Sequence, residues 1–262
     1  MAGKLLGAGE RVLVHVVLLL MAAGFGAGFL NSLAGGGSFL TFPALVVGGV
    51  PSVIANASST VALVPGAVTS AFAYRSDIQR SNEPKLRVWL IVSLIGGVTG
   101  AWLLLVTSDH TFRQIAPWLL LFATLVFAFG NQISLAMRGR LHRNQWLMLG
   151  LLFPISVYGG YFGGGIGIMF MASFRLYGMT DMHGSLGIKA ILGSSLNAVA
   201  SILFIAMHKI DWIPTLITMA AAILGGFVGP MFARRLRPSA IRVIVIAVGV
   251  IMTGYFFHMA QR

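Results

Sequence analysis

The sequence predicts an all-α integral membrane protein with about eight transmembrane helices, two short re-entrant or half helices, and an internal duplication. The first observation is composition: 57% of the 262 residues are hydrophobic, 9% are charged, and the mean hydropathy is +0.90. A soluble domain carries about 25% charged residues. The few charged side chains of this chain cannot cover a water-soluble surface. The other two observations are a series of long apolar runs and a repeat with a constant offset.

Ten apolar runs follow one another along the chain, at residues 11–31, 38–50, 53–74, 86–107, 115–136, 146–162, 166–178, 184–207, 212–233 and 240–258. Eight approach the ~20 residues that a membrane-spanning helix needs, whereas 38–50 and 166–178 are too short to span. The first run follows Lys4 and Arg11 and resembles a signal peptide, with MAAG as the cleavage region. The repeat predicts that this run is retained, because it pairs 11–31 with 146–162.

The repeat has an offset of 129 residues. It places Gly35 and Gly36 on Gly164 and Gly165, Gly49 on Gly178, Gly96, Gly97 and Gly100 on Gly225, Gly226 and Gly229, and Arg113 on Arg242. The halves 1–137 and 138–262 then share one plan: a long helix, a Gly-rich break, a short helix and three long helices. Duplicated units with interrupted helices are typical of secondary transporters.

The two breaks read NSLAGGGSFLTFP from Asn31 and YFGGGIGIMF from Tyr161. Non-helical backbone at membrane depth needs cover from protein or a water-filled cavity, and glycine permits the positive φ of tight turns. We predict a re-entrant hairpin in each half, in which an extended limb (32–37 in the first half) leads to a short helix whose N-terminus lies near the bilayer midplane. Such an N-terminus favours anions. The alternative is that these glycines only allow close helix packing, as we expect for GGVTG and GGFVG in the fourth and ninth runs.

A lysine interrupts the apolar segment GSLGIKAILGSS, residues 184–195. Lys189 lies about 8 Å from the start of that run, and the repeat pairs it with Thr60, so we expect the hydroxyl cluster of Ser58, Ser59 and Thr60 to lie opposite Lys189. An unpaired ammonium in a bilayer costs at least ~2.5 to 3.5 kcal/mol, and none of the six carboxylates falls well inside a long apolar run. The sequence therefore predicts that Lys189 faces a cavity or a bound anion; snorkelling to the nearby interface is the alternative.

Candidate substrate ligands are the hydroxyls, amides and backbone N–H groups of the breaks and of the helices around Lys189. They are Asn31, Gly35, Gly36, Gly37, Ser38, Asn56, Ser58, Ser59, Thr60, Gly164, Gly165, Gly167, Lys189, Ser194 and Asn197. His183 either titrates with the substrate or caps its helix. Since no carboxylate lies at mid-membrane, we expect a negative transported charge. We predict no catalytic residue, metal site or cofactor, and the absence of Cys excludes disulfides.

The net charge of +12 comes from basic residues in short clusters between apolar runs, which is typical of cytoplasmic loops rather than of nucleic-acid binding. If the short runs do not cross and the N-terminus is cytoplasmic, 11 Lys and Arg lie inside and 6 outside. If they cross and the N-terminus is outside, the halves are inverted and the division is 12 to 5. We favour eight crossings on length, but the charge count does not separate the two models.

Three segments resemble the sulfite exporter TauE/SafE family, also called the toluenesulfonate uptake permease family. They are AGGGSFLTFPALVVGGVPSVIANASSTVALVPGAVTSAFAYR at 34–75, YFGGGIGIMFMASFRLYGMTDMHGSLGIKAILGSSLNAVASILFI at 161–205, and LGGFVGPMFARRL at 224–236. The likeness runs through nearly the whole chain. It implies a bacterial inner-membrane protein with a duplicated four-helix unit that moves sulfite, organosulfonates or related small anions.

The resulting prediction is a secondary transporter that exposes a midplane oxyanion site alternately to the two sides of the membrane. The alternatives are an anion channel and an intramembrane enzyme that uses Ser38 and His183 as nucleophile and base, for which no orienting partner is evident. The sequence contains no ATP-binding motif, so an ion gradient or the membrane potential is the expected energy source. The expected partners are a small anion and the lipid bilayer; the anion, the direction, the coupling ion and homo-oligomerisation stay open.

Overall fold

The computed structural model describes residues 8–33, 35–73, 75, 85–136, 144–233 and 238–260. Within these ranges the chain forms ten α-helices and no strands. They are α1 (Ala8–Leu33), α2 (Ser38–Val47), α3 (Ser52–Ala73), α4 (Leu86–Val106), α5 (Asp109–Ala136), α6 (Gln145–Tyr161), α7 (Ile166–Tyr177), α8 (Met182–Ala206), α9 (Trp212–Ala233) and α10 (Pro238–Ala260). Runs 38–50 and 166–178 are confirmed as the short helices α2 and α7, with 10 and 12 residues.

Several helices suit a lipid environment. Five stretches in the described residues are long and apolar enough to cross a membrane: Val12–Ser32, Ser52–Thr69, Leu86–Val106, Asp109–Gly130 and Gly184–Ala206. Large apolar side chains also point away from the protein, among them Ile213 and Phe227, each 75% exposed. Water would disfavour so much exposed apolar surface, whereas lipid tails accept it. The chain is therefore an all-helical, multi-pass membrane protein.

The breaks are shorter than predicted. Helix α1 continues to Leu33 and α6 to Tyr161, so the predicted extended limb at 32–37 is wrong. Packing against neighbouring helices keeps α1 and α6 regular, and the reversal is confined to a few residues. Glycine makes this possible, because Gly36 and Gly165 adopt φ of +100° and +78°, which side chains rarely tolerate.

Helix α2 returns the chain to the end of the molecule at which α1 begins. A Cβ on Gly37 would lie 2.8 Å from the Ala27 carbonyl oxygen, and one on Gly48 would lie 3.4 Å from Val16 Cγ1. Rising numbers in α2 thus meet falling numbers in α1, which makes the two helices antiparallel. Helix α3 therefore starts on the same side as α1.

Two polar contacts mark the opposite ends of the helix bundle. At one end, which we call the Asp109 face, the Val53 N–H at the start of α3 donates to Asp109 Oδ1 over 2.9 Å. At the other end, the Lys85 face, Lys85 Nζ donates to the Tyr177 hydroxyl over 3.2 Å. Helix α4 begins at the Lys85 face and ends beside Asp109, whereas α7 ends at the Lys85 face. The chain direction thus alternates through the short helices as well as the long ones.

The two halves run in opposite directions. Helices α5 and α10 are the last of each half, and they pack antiparallel: the rings of Trp118 and Phe257 lie 5.0 Å apart, while Gly249 adjoins Thr124. Parallel halves, which follow from the favoured eight-crossing model, would align these helices in the same direction. The halves are antiparallel instead, because each short helix carries the chain back toward the face at which its half begins. It agrees with the inverted arrangement that the sequence left open.

The first and fourth helices of each half pack mainly on the other half. Helix α1 lies on α9, where a Cβ on Gly28 would overlap the Ala222 carbonyl oxygen. Helix α4 lies on α6, where a Cβ on Gly100 would overlap the Val157 carbonyl oxygen. Absence of side chains lets these backbones approach closely, as small residues do between membrane helices. Gly100 belongs to GGVTG, and a Cβ on Gly225 of GGFVG would overlap the Phe25 carbonyl oxygen, so the expected packing role of both segments is confirmed. The two halves thus interpenetrate.

Replacing Gly100 with Val is expected to lower the unfolding temperature in detergent, because the side chain would force α4 and α6 apart. Overpacking of this kind costs about 1 to 3 kcal/mol or more. Gly150→Val is the matched control, since Gly150 is a helical glycine whose Cβ would meet nothing within 4 Å. Equal thermal melts for the two variants would show that the contact between α4 and α6 tolerates a side chain.

Candidate functional site

The Gly-rich breaks of the two halves meet in the interior and border a cavity of about 60 Å³. A Cβ on Gly35 would lie 3.4 Å from Gly167 Cα, and one on Gly163 would lie 3.6 Å from Ser38 Oγ. The lining residues are Asn31, Ser32, Gly35, Gly36, Ser38, Leu63, Ala67, Gly163, Ile166, Gly167, Phe170, Lys189, Ala190, Gly193, Ser194 and Asn197. The cavity thus draws on both halves of the chain.

Two short helices direct their N-termini at this cavity. Gly37 and Gly165 occupy the N-cap positions of α2 and α7, and neither offers a side chain that could accept a hydrogen bond from the first turn. Within the described residues, the N–H groups of Ile166 and Gly167 donate no hydrogen bond to the backbone. Free N–H groups and the aligned peptide dipoles make each N-terminus electropositive.

A third positive group lies in the same cavity. Lys189 is on α8, and Lys189, Gly193 and Asn197 follow at intervals of four residues, which places them on one helical face. Within the described residues Lys189 makes no hydrogen bond and no ion pair, and none of the cavity-lining residues is acidic. This position agrees with the cavity-facing interpretation rather than with snorkelling to the membrane surface.

Polar side chains complete the lining. Ser194 Oγ donates to the Ile191 carbonyl oxygen over 3.1 Å. Asn197 Oδ1 is buried and has no hydrogen-bond partner in the described residues. An amide can present either its oxygen or its N–H₂ group after rotation, so Asn197 can donate to a ligand in the cavity.

Four predicted ligands on α3 lie outside the cavity lining and bond within the protein. Asn56 Nδ2 donates to the Tyr161 carbonyl oxygen over 2.8 Å, and Ser58 Oγ accepts from the Asp211 N–H over 3.2 Å. Ser59 Oγ lies 2.5 Å from Thr41 Oγ1, and Thr60 Oγ1 donates to the Asn56 carbonyl oxygen over 3.0 Å. The structure therefore does not place this hydroxyl cluster opposite Lys189.

Three predicted glycines shape the turns without lining the cavity. A Cβ on Gly37 would approach Ala27, one on Gly164 would approach the Phe162 ring, and one on Gly165 would approach Ala123. The side chain of His183 lies outside the described residues. Sequence reasoning missed eight lining residues, although the spacing of Gly193 from Lys189 was a usable signal: Ser32, Leu63, Ala67, Gly163, Ile166, Phe170, Ala190 and Gly193.

A multi-pass helical bundle with interrupted helices around a central polar cavity defines a membrane transporter. The chain belongs to the sulfite exporter TauE/SafE family, whose model matches residues 20–256. The chain is similar to a probable membrane transporter protein of Haemophilus influenzae, with 28% identity over 247 residues that cover 92% of this chain and 94% of that protein.

Two further relatives carry the same description. The probable membrane transporter protein ORF9 of Sinorhizobium sp. is 26% identical over 242 residues, covering 90% of each chain. The probable membrane transporter protein YfcA of Escherichia coli K12 is 24% identical over 239 residues, covering 88% of this chain and 86% of that protein. No solved structure matches the chain significantly.

Proposed function

We propose that the chain is a secondary transporter of small oxyanions, namely sulfite, organosulfonates or related sulfur-containing anions, which bind in the cavity between the two breaks. One observation carries this proposal: two uncapped helix N-termini and the Lys189 ammonium border a single cavity whose lining contains no acidic residue. The proposed ligands are the cavity-lining members of the predicted set, which include Ser38, Gly167, Lys189 and Asn197.

The chemistry of this lining favours an anion over a cation. Sulfite and sulfonate oxygens accept hydrogen bonds from backbone N–H groups and from an ammonium, and these bonds are stronger when one partner is charged. A cation would meet three positive groups and no carboxylate. A cavity of about 60 Å³ suits an anionic head of a few atoms, so the organic part of a larger sulfonate would extend beyond it.

Alternating access is proposed to arise from an inverted repeat. Adding 129 to the bounds of α2 gives 167–176, close to the observed Ile166–Tyr177 of α7. Positive φ recurs at the paired positions Gly36 and Gly165, and again at Gly49 and Gly178. If the two halves can each adopt the conformation of the other, the site would open first to one side of the membrane and then to the other. Helices α3, α4, α5, α8, α9 and α10 would then cross the bacterial inner membrane, while α1 with α2 and α6 with α7 each form a hairpin that returns to its starting face.

We expect small sulfur oxyanions to raise the unfolding temperature of the purified protein. A ligand that binds the folded state stabilises it by RT ln(1 + [L]/Kd), about 2.7 kcal/mol at one hundred times Kd. Sulfite, sulfate, thiosulfate, taurine, sulfoacetate and aromatic sulfonates form the panel, with the same counter-ions as chloride salts for the control. Anion-independent melting, or stabilisation by guanidinium and choline instead, would contradict an anion site.

Saturable counterflow in proteoliposomes separates transport from channel conduction. A transporter exchanges labelled anion for unlabelled anion without net flux, because the loaded site can reorient in both directions. A flux that rises linearly with concentration and shows no exchange would instead favour a channel.

A further inference from the structure

The cavity is closed on the side of the Asp109 face by buried aromatic side chains. Phe42, midway along α2, packs against Phe112, Phe162 and Phe256 with ring centroids 5.9, 5.6 and 5.1 Å away. We call these four residues the Phe42 cluster; each is at most 1% exposed. Since α2 runs from the cavity at Ser38 to the Asp109 face, the Phe42 cluster lies between the two.

A hydrogen bond reinforces this closure. Asn56, near the start of α3, donates through Nδ2 to the carbonyl oxygen of Tyr161 at the end of α6. The Tyr161 hydroxyl also lies 3.3 Å from Thr107 Oγ1, beside the Asp109 face. These bonds tie the end of α6 to α3 and to the end of α4.

Aromatic side chains are buried on the side of the Lys85 face as well, where Phe174 of α7 stacks on Trp89 and Phe170. What differs, within the described residues, is the hydrogen bond at the paired positions. The offset of 129 pairs Asn56 with Ser185 and Tyr161 with Ser32. Ser185 Oγ instead donates to the Asp181 carbonyl oxygen over 2.6 Å, and Ser32 Oγ donates to the Phe29 carbonyl oxygen over 2.8 Å. Ser32 lines the cavity. The two paired sites thus differ: Asn56 and Tyr161 join α3 to α6 on the side of the Asp109 face, whereas Ser185 and Ser32 each bond within their own helix end.

The depth of the lining residues agrees with this asymmetry. Lys189 lies seven residues after the start of α8 at the Lys85 face, which at 1.5 Å per residue is about 10 Å. The end of α8, toward the Asp109 face, lies roughly 26 Å from Lys189 on the same measure. Ala67, another lining residue, is likewise in the part of α3 that approaches the Lys85 face.

The charge distribution identifies the Lys85 face with the cytoplasm. The sequence segments that flank the described helix ends at this face contain 12 Lys and Arg, at 75–87, 138–143, 175 and 234–242. The sequence segments that flank the described helix ends at the Asp109 face contain 5: Lys4, Arg11, Arg113, Lys209 and Arg262. Basic residues accumulate on the cytoplasmic side of membrane proteins, and the antiparallel halves remove the competing 11-to-6 division.

We infer that the structure is the cytoplasm-facing state of the transporter, with the start of α1 and the end of α10 on the external side, and that the Phe42 cluster and the Asn56–Tyr161 hydrogen bond form its external gate. The inference relies on the proposed function only for the statement that an anion occupies the cavity. The direction of access itself follows from the depth of the lining residues, from the hydrogen bonds at the paired positions and from the charges. In an alternating-access cycle, opening outward would then require the Asn56–Tyr161 bond to break and the Ser185 side to close.

Single cysteines test the inference directly, because the chain contains no cysteine of its own. Gly193→Cys places a thiol in the cavity, where a Cβ meets nothing within 4 Å. Arg87→Cys and Ser108→Cys mark the Lys85 and Asp109 faces, where both native residues are exposed. Each variant is treated with a charged, membrane-impermeant methanethiosulfonate in inside-out and right-side-out vesicles, and the labelled fraction is measured over time.

We expect Gly193→Cys and Arg87→Cys to react mainly in inside-out vesicles, and Ser108→Cys only in right-side-out vesicles. Adding Asn56→Ala to Gly193→Cys should raise labelling from outside about fivefold, the population shift that loss of one hydrogen bond produces. Ser201→Ala in the same background is the control, because Ser201 is on α8 and has no hydrogen-bond partner in the described residues.

Reaction of Arg87→Cys from outside would overturn the orientation. Reaction of Gly193→Cys mainly from outside, or equally from both sides, would overturn the cytoplasm-facing assignment, and an unchanged rate with Asn56→Ala would remove Asn56 from the gate. None of these measurements requires an anion. Failure of anion binding would therefore contradict the proposed function and leave the access result intact.

Discussion

Replacing Lys189 with Met is expected to weaken anion binding about ten- to a hundredfold, the equivalent of ~1.5 to 3 kcal/mol for a hydrogen bond to a charged group. Met keeps most of the length and the apolar stem but removes the positive charge from the cavity. Folding should be unharmed or improved, since Lys189 has no acidic partner in the described residues and an unpaired ammonium is costly in a membrane. Isothermal titration with the best anion of the thermal panel gives the affinity, and thermal unfolding gives the stability.

Two further variants separate a specific role for Lys189 from a general effect of charge. Lys189→Arg should restore only part of the affinity, because a planar guanidinium differs from a compact ammonium in shape and reach. Lys209→Met removes a lysine beside Asp109, away from the central cavity, and should leave affinity unchanged. Parental anion affinity in Lys189→Met would show that the helix N-termini alone hold the anion.

Gly193→Leu is expected to reduce transport to background without loss of stability. Gly193 lines the cavity, and a Cβ there would meet nothing within 4 Å, so a longer side chain can enter the space that the anion needs. Replacing a helical glycine also removes a helix-propensity penalty of up to about 1 kcal/mol, so the unfolding temperature should stay equal or rise. Uptake of labelled anion into proteoliposomes, at matched protein content, measures the loss.

Gly150→Leu is the matched control for this substitution. Gly150 is also a helical glycine with open space at its Cβ, but it is exposed on α6 and is absent from the cavity lining. The control should gain the same helix propensity and keep parental transport. If both variants transport normally, the cavity beside Lys189 is not on the path of the anion.

Much of the architecture was predictable because membrane helices need long apolar runs. The runs predicted the helix bounds to within three residues, except that α5 begins at Asp109, six residues before the predicted start at 115. The predicted ligands Lys189, Gly36 and Ser38 line one cavity. The relative direction of the two halves was harder to predict. Residues 38–50 are too short to span by length alone, and only contacts such as Gly48 with Val16 reveal that α2 takes the chain back to its starting face.

The hydroxyl cluster of α3 shows where sequence reasoning stops. Pairing Thr60 with Lys189 by the repeat suggested that both face the substrate, but equivalent positions in a repeat do not have equivalent partners. Thr60 bonds one turn back to Asn56, and Ser58 and Ser59 face Asp211 and Thr41. The apolar residues Leu63 and Ala67 reach the cavity instead. Hydroxyls satisfied by nearby backbone are common in membrane helices, and no pattern in the sequence distinguishes them from ligands.

The exchange of helices between the two halves has a consequence for biogenesis. Gly28 of α1 contacts Ala222 of α9, which is synthesised only after most of the chain. Helix α1 is therefore in the bilayer without its packing partner until α9 has been translated and inserted. Contacts between segments so distant along the chain form slowly, and unsatisfied intermediates are prone to misassembly. A chain terminated before α9 would leave the glycine face of α1 without its partner and is expected to be degraded. Insertion of the final helices, rather than of the first, is thus the step that commits this protein to its native structure.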